Sequence, residues 1–238
     1  MKNKTNSVLF FCFGKGAKKM RVCYNATMRH NVNYAEIFAR NLLQKFYFNG
    51  VKLYHGDNYS KRIPDIYCKN LEVGIEVAQA ERKEDFLSNT KKHLTQEAVL
   101  FPSKQQMEDE LSIFIDLTKD KIHKAQMGNY SGCKNLYLCI VSYYRVRDMK
   151  VVTNFVAKLK ELGMQPFQKI FLIFSTSLFV VHSNFAITVL DYSDEEFEQI
   201  LVGSQNDYDE IMLKYRTKVL KKAKTVKQTK QSKQTKKE

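Results

Sequence analysis

Apolar residues recur along the chain with two alternating periods, and the alternation predicts most of the elements. From Val32 the spacing is helical, with Tyr34, Ile37, Phe38, Leu42 and Phe46 on one stripe up to the turn signal Asn49-Gly50. That predicts a helix over 33–48. Val51-Leu53-His55 alternates as a short strand, and Asp65-Ile66-Tyr67-Cys68 and Leu71–Ala78, separated by Lys69-Asn70, read as two strands joined by a tight turn. Two polar helices follow, over about 80–100 and 104–127, separated at Phe101-Pro102-Ser103. Asn135–Tyr143 is a β-branched and aromatic run of buried-strand length, and an amphipathic helix near 150–162 comes after it. Strands are then expected at 169–174, 177–181 and 186–190, and a last helix over about 193–214 behind the N-cap signal Asp191-Tyr192-Ser193-Asp194. The order α-β-β-β-α-α-β-α-β-β-β-α predicts an α/β fold with a mixed central sheet flanked by helices.

Charge changes the picture at the two ends. The 238 residues carry a formal net charge of +14. Residues 1–30 contribute seven bases and no acid, and residues 215–238 contribute ten bases and one acid, which leaves −2 for 31–214. The expected organisation is a basic N-terminal extension over 1–30, one domain over 31–214 and a disordered Lys-rich tail over 215–238. The basic pI therefore belongs to the ends and does not mark a basic face on the domain.

Five cysteines with no C-x-x-C spacing support neither a disulfide framework nor a zinc knuckle, which points to a reducing, cytoplasmic setting. The run Ser7–Phe13 is short for a signal-peptide core, and the Gly14–Lys19 segment behind it is a poor cleavage context. No apolar run approaches the roughly 20 residues that span a membrane. Phosphate-loop, dinucleotide-binding and nucleophile-elbow signatures are missing, and the five histidines show no metal-ligand spacing.

The remaining chemistry is acidic. Pro64-Asp65 opens one strand and Glu76 lies near the end of the next, so an antiparallel hairpin brings the two carboxylates to one end of a sheet. Carboxylates on strands flanked by apolar residues are costly to bury unless paired or bound to a cation. Two of them converging make an oxygen-rich site suited to Mg2+ or Mn2+. Glu36, on the first helix, is a third acid whose face the helical spacing leaves undecided.

Glu36 on a first helix, Pro64-Asp65, the strand Gly74-Ile75-Glu76-Val77 and a following helix resemble the PD-(D/E)XK nuclease superfamily, with its α-β-β-β-α-β core. The resemblance covers about 33–142. It implies a restriction-endonuclease-like fold extended by C-terminal strands and a helix, and metal-dependent cleavage of phosphodiester bonds. DNA is the expected substrate and RNA a second candidate. By the same resemblance Asp65 and Glu76 hold the metal and Glu36 supports the site. The chain departs from the motif at its lysine, where Ala78 stands. Gln79, Lys83 with Arg82, or a lysine migrated to the helix over 104–127, Lys121 or Lys124, are the candidate replacements. The alternative is a nuclease-like fold that has lost catalysis and serves as a nucleic-acid-binding or interaction module.

Overall fold

The computed structural model describes residues 33–56, 63–80, 104–128, 130, 133–142 and 149–234. The N-terminal extension over 1–30, the helix expected at about 80–100, and Arg82 and Lys83 lie outside the described residues.

Helix α1 (Tyr34–Phe46) starts on a reciprocal cap. Asn33 accepts from the Ala35 N–H through its side chain, and the Glu36 carboxylate reaches back to the Asn33 backbone, the pattern of a capping box. Strands β1 (Tyr54–His55), β2 (Ile66–Cys68) and β3 (Val73–Gln79) form an antiparallel meander. Helix α2 (Lys104–Gln126) precedes β4 (Asn135–Val141), which pairs parallel with β3. Helix α3 (Met149–Leu162) leads to β5 (Lys169–Ile173), parallel to β4. Parallel neighbours need a crossover, and each pair has a helix in the intervening chain. Strands β6 (Ser177–His182) and β7 (Ile187–Asp191) add antiparallel, and helix α4 (Asp194–Gln234) follows. The result is one seven-stranded sheet in sequential order, a mixed α/β architecture.

Strand alternation divides the core into two layers. Val73, Ile75 and Val77 of β3, with Tyr137, Cys139 and Val141 of β4 and Phe171 and Ile173 of β5, pack against α1 and the start of α4. Ala78, Leu138, Ile140, Ile170 and Leu172 face the other way, toward α2 and α3, around Phe114 and Phe155. β3 to β6 are buried on nearly every position, as strands covered on both faces should be. Among the described residues no helix is long and apolar enough to cross a membrane, and Cys68, Cys133 and Cys139 are free thiols.

The one large departure in element length is α4. The expected helix stops near 214, with a disordered tail beyond, whereas α4 continues to Gln234. Its first turn is fixed by the Ser193–Glu196 capping box, and residues past Gly203 include neither glycine nor proline. Lys, Gln, Ala and Leu are good helix formers, and extending a helix nucleated by packing is far easier than starting one. Low apolar content argues against a packed core for such a segment but does not argue against a helix.

Two glycines of the β1–β3 region are sites of close approach. A Cβ on Gly56 would stand 2.0 Å from the Pro64 carbonyl oxygen, and one on Gly74 would stand 2.6 Å from both Cys133 Sγ and Pro64 Cγ. Gly56 also donates its N–H to the Asp65 carbonyl at 2.9 Å, so the two glycines hold the Pro64-Asp65 corner in place. Gly56→Ala and Gly74→Ala are each expected to destabilise the fold by about 1–3 kcal/mol through overpacking. Gly203→Ala, in α4 with nothing within 4 Å of its Cβ, should instead stabilise it by about 0.5–1 kcal/mol. Urea unfolding of the three variants checks both signs.

Candidate functional site

Asp65 sits where the β2–β3 ladder ends. The last backbone pair is Ile66–Ile75, and the next inward N–H, that of Val77, is taken by Asp65 Oδ2 at 2.9 Å in place of a backbone carbonyl. This sets the Asp65 side chain beside Glu76, with which it shares a hydrogen bond. Glu76 itself is 7% exposed, a carboxylate on the sheet face that α2 covers. The expected convergence of the two acids at one end of the hairpin is what the geometry has.

A cation reaches them from α2. Lys121 Nζ donates to Glu76 Oε1 at 2.5 Å, with the two side chains 15% and 9% exposed. Lys121 lies three and seven residues beyond Thr118 and Phe114, both buried, and so stands at the core-facing stripe of the helix. Lys124 does not reach the site. It pairs with Asp120 at 2.6 Å on the exposed side of α2. Ala78, at the motif's lysine position, is buried among the α2–α3 core residues and brings no charge to the site. Gln79 faces the opposite side of β3 from Glu76, and its Nε2 is buried with no hydrogen-bond partner among the described residues.

Two further groups complete the cluster. Glu36, anchored in the cap of α1, feels the charges of both Asp65 and Glu76. Tyr130, which no pattern in the sequence marked, hydrogen-bonds to Glu76 from the segment that follows α2. It stands alone in a loop, with no spacing or neighbouring motif by which it could have been singled out.

The electrostatics follow from crowding acids under partial cover. Burial, then the neighbouring Glu76 charge, raise the Asp65 carboxyl to about 7, although the Val77 N–H and Lys121 pull the other way. Burial, then Asp65, raise Glu36 to about 8, against the opposing pull of the Asn33 N–H. Lys121 loses solvation, but Glu76 and Asp65 outweigh this and hold it above the usual lysine range. Burial and the Glu76 charge keep the Tyr130 hydroxyl protonated, so it is a donor.

These shifts carry a sign for stability. In the unfolded chain Asp65 ionises near 3.8, while in the fold it keeps its proton to about 7, so between those values the folded state binds more protons. Stability of the metal-free protein therefore falls as pH rises from about 4 to about 7, and Glu36 extends the decline to about 8. Asp65→Asn should flatten the lower part of this slope, as measured by thermal melts in chelator between pH 5 and 8. A melting temperature that climbs through this window would contradict the assignment.

Among the described residues no group of three or more His, Cys, Asp or Glu is arranged to hold a metal ion. The donor set is a pair, Asp65 and Glu76, whose mutual repulsion a divalent cation would relieve. Mg2+ commonly uses only one or two carboxylates and completes its shell with water and phosphate oxygens, so the pair fits such an ion. Comparison with protein-family models, curated proteins and solved structures finds no match.

Proposed function

We propose that the chain is a metal-dependent nuclease of the PD-(D/E)XK type, with a restriction-endonuclease-like fold, hydrolysing phosphodiester bonds in DNA with Mg2+ or Mn2+. The observation that carries the reading is the meeting of Asp65, Glu76 and Lys121 on one sheet face, with the lysine supplied by α2 where Ala78 replaces it on β3. The order α1-β1-β2-β3-α2-β4 among the described elements supports it, being the α-β-β-β-α-β order of that superfamily.

A cation held by Asp65 and Glu76 would polarise the scissile phosphate and offset charge developing on its oxygens. The chain's own groups do the rest. Lys121 keeps its proton and brings a positive charge beside the carboxylates, where it can stabilise a phosphoryl oxygen once released from Glu76. Tyr130 donates to Glu76 and orients that carboxylate. Glu36 borders the acid pair from the N-terminus of α1.

Delivery of the polyanion fits the distribution of charge. Lysine recurs at every third position from Lys218 to Lys233 along α4. On a helix of 3.6 residues per turn those positions step around the axis, a distribution suited to phosphate neutralisation without sequence readout. A cytoplasmic setting accords with the free thiols.

One observation favours the second reading, a nuclease-like binding module without catalysis: Lys121 closes directly on Glu76 and so competes with a metal for the same oxygen. Incubation of plasmid and single-stranded DNA with the protein, with and without Mg2+ or Mn2+, separates the two. Metal-dependent strand cleavage supports the nuclease, and binding with no cleavage under either ion supports the module.

A further inference from the structure

The carboxylate site has an aromatic neighbour that its chemistry does not use. Tyr54 of β1 pairs directly with Tyr67 of β2, and Tyr67 pairs directly with Gly74 of β3. Leu53 and Ile66 belong to the core against α1, so alternation puts Tyr54 and Tyr67 on the opposite face, the one that carries Glu76. Tyr67 is two residues from Asp65, about 7 Å along an extended strand. The two rings are stacked, with centroids 5.5 Å apart and planes at 28°. Tyr54 is 42% exposed. Lys52, also exposed, holds its Nζ 5.2 Å from the Tyr54 ring centroid.

A cross-strand tyrosine pair by itself contributes to sheet stability. Three features go beyond that. The outer ring is half exposed, a lysine ammonium lies against it, and the pair occupies the same face as the acids, two residues away along the strands. An exposed ring beside a lysine is the combination that single-strand-binding proteins use, the ring taking a base and the cation a phosphate.

We propose that Tyr54, backed by Tyr67 and flanked by Lys52, is a stacking platform for an unpaired base of a single nucleic-acid strand lying beside Asp65 and Glu76. The proposal takes its partner class from the nuclease-like reading but does not require cleavage. It makes single-stranded or locally opened nucleic acid the preferred ligand. Paired stems, whose bases are already stacked on both faces, bind through phosphates alone.

The test is fluorescence anisotropy with the full chain in chelator, where no cleavage occurs. The probes are labelled oligothymidylate, oligouridylate and an abasic strand of equal length and charge. The wild-type protein should bind the base-bearing strands about ten-fold more tightly than the abasic one. Tyr54→Leu should remove that preference while leaving abasic binding unchanged, and Tyr54→Phe should keep it. Equal binding of abasic and base-bearing strands by the wild type overturns the platform without reliance on any variant. So does an undiminished preference in a folded Tyr54→Leu protein. Preference for thymidylate over uridylate, or the reverse, says which nucleic acid is taken. Base preference without metal-dependent cleavage would retain the platform and remove the nuclease, and cleavage without base preference would do the opposite.

Discussion

Asp65→Ala and Glu76→Ala are each expected to lower metal-dependent cleavage by about a thousand-fold or more, the several kcal/mol of charge stabilisation that a bound cation supplies. The double variant should be little worse than either single one, because the two carboxylates act as one ligand pair and their effects do not add. Loss of activity is not expected to accompany loss of the fold. Asp65 is a charge held against its preference beside Glu76, so Asp65→Asn, which keeps an acceptor for the Val77 N–H, should melt higher than wild type at pH 8 in chelator. An inactive variant that is more stable than its parent is the signature of a functional acid. A structural carboxylate would lose both together. Cleavage rates on purified DNA alongside thermal melts at pH 8 provide the comparison, and unchanged cleavage in both alanine variants would place the activity elsewhere.

The second large effect concerns Lys121, the proposed replacement for the motif's lysine. Lys121→Ala should reduce cleavage by about a hundred-fold or more, the scale associated with removing one preorganised donor from a reacting phosphoryl or acyl centre. It should also destabilise the fold by about 3 kcal/mol, since it leaves the acid cluster under cover with its cation gone. Lys121→Arg separates these roles. It restores the charge and most of the stability, while its longer, planar head group does not reproduce the position of the ammonium, so activity stays well below wild type. Lys124→Ala is the internal control. Its exposed pair with Asp120 contributes about 0.3–0.5 kcal/mol at most, and cleavage should remain at the wild-type level. Binding of a single strand in chelator should be nearly the same in all three, so that the loss registers in turnover. Equal activity of the Lys121 and Lys124 variants would remove Lys121 from the site.

The contrast between Lys121 and Lys124 also marks where pattern reading stopped. Both residues follow the same strand-rich core, three positions apart on one helix, and helical spacing alone does not say which of them looks inward. The line Phe114, Thr118, Lys121, with Ala125 beyond, was present as a signal, but its threonine and lysine hid it among a largely polar helix. Tyr130 offered less still. The convergence of Asp65 and Glu76 was legible as two short strands joined by a tight turn, although the turn runs over four residues, Lys69 to Glu72, in place of the expected Lys69-Asn70, and it is this longer turn that pairs Ile66 with Ile75. Glu36 was legible as an acid in a first helical turn, yet its place beside the pair depended on how α1 packs across the sheet. The tail failed for a different reason. Low apolar content excludes burial but says little about local backbone conformation, and α4 needed only its packed first turns to carry the helix onward.

What the amino-acid order determined by itself is local and periodic: the helices and strands of the described chain, the two-sided burial of β3 to β6, the basic ends around a slightly acidic body, and the pairing of Pro64-Asp65 with the Glu76 strand. These follow from side-chain period, turn chemistry and short-range sterics, each contained within a few residues. What only the tertiary structure decided is which distant groups share a site. Lys121 is 45 residues from Glu76 in sequence, and only the packing of α2 over the β3–β4 face brings its amine to 2.5 Å from that carboxylate. The same packing sets Ala78 among core residues and leaves Tyr54 exposed on the face that carries the acids. Distances across a fold depend on the sum of many weak packing choices, and no single segment of the chain contains them.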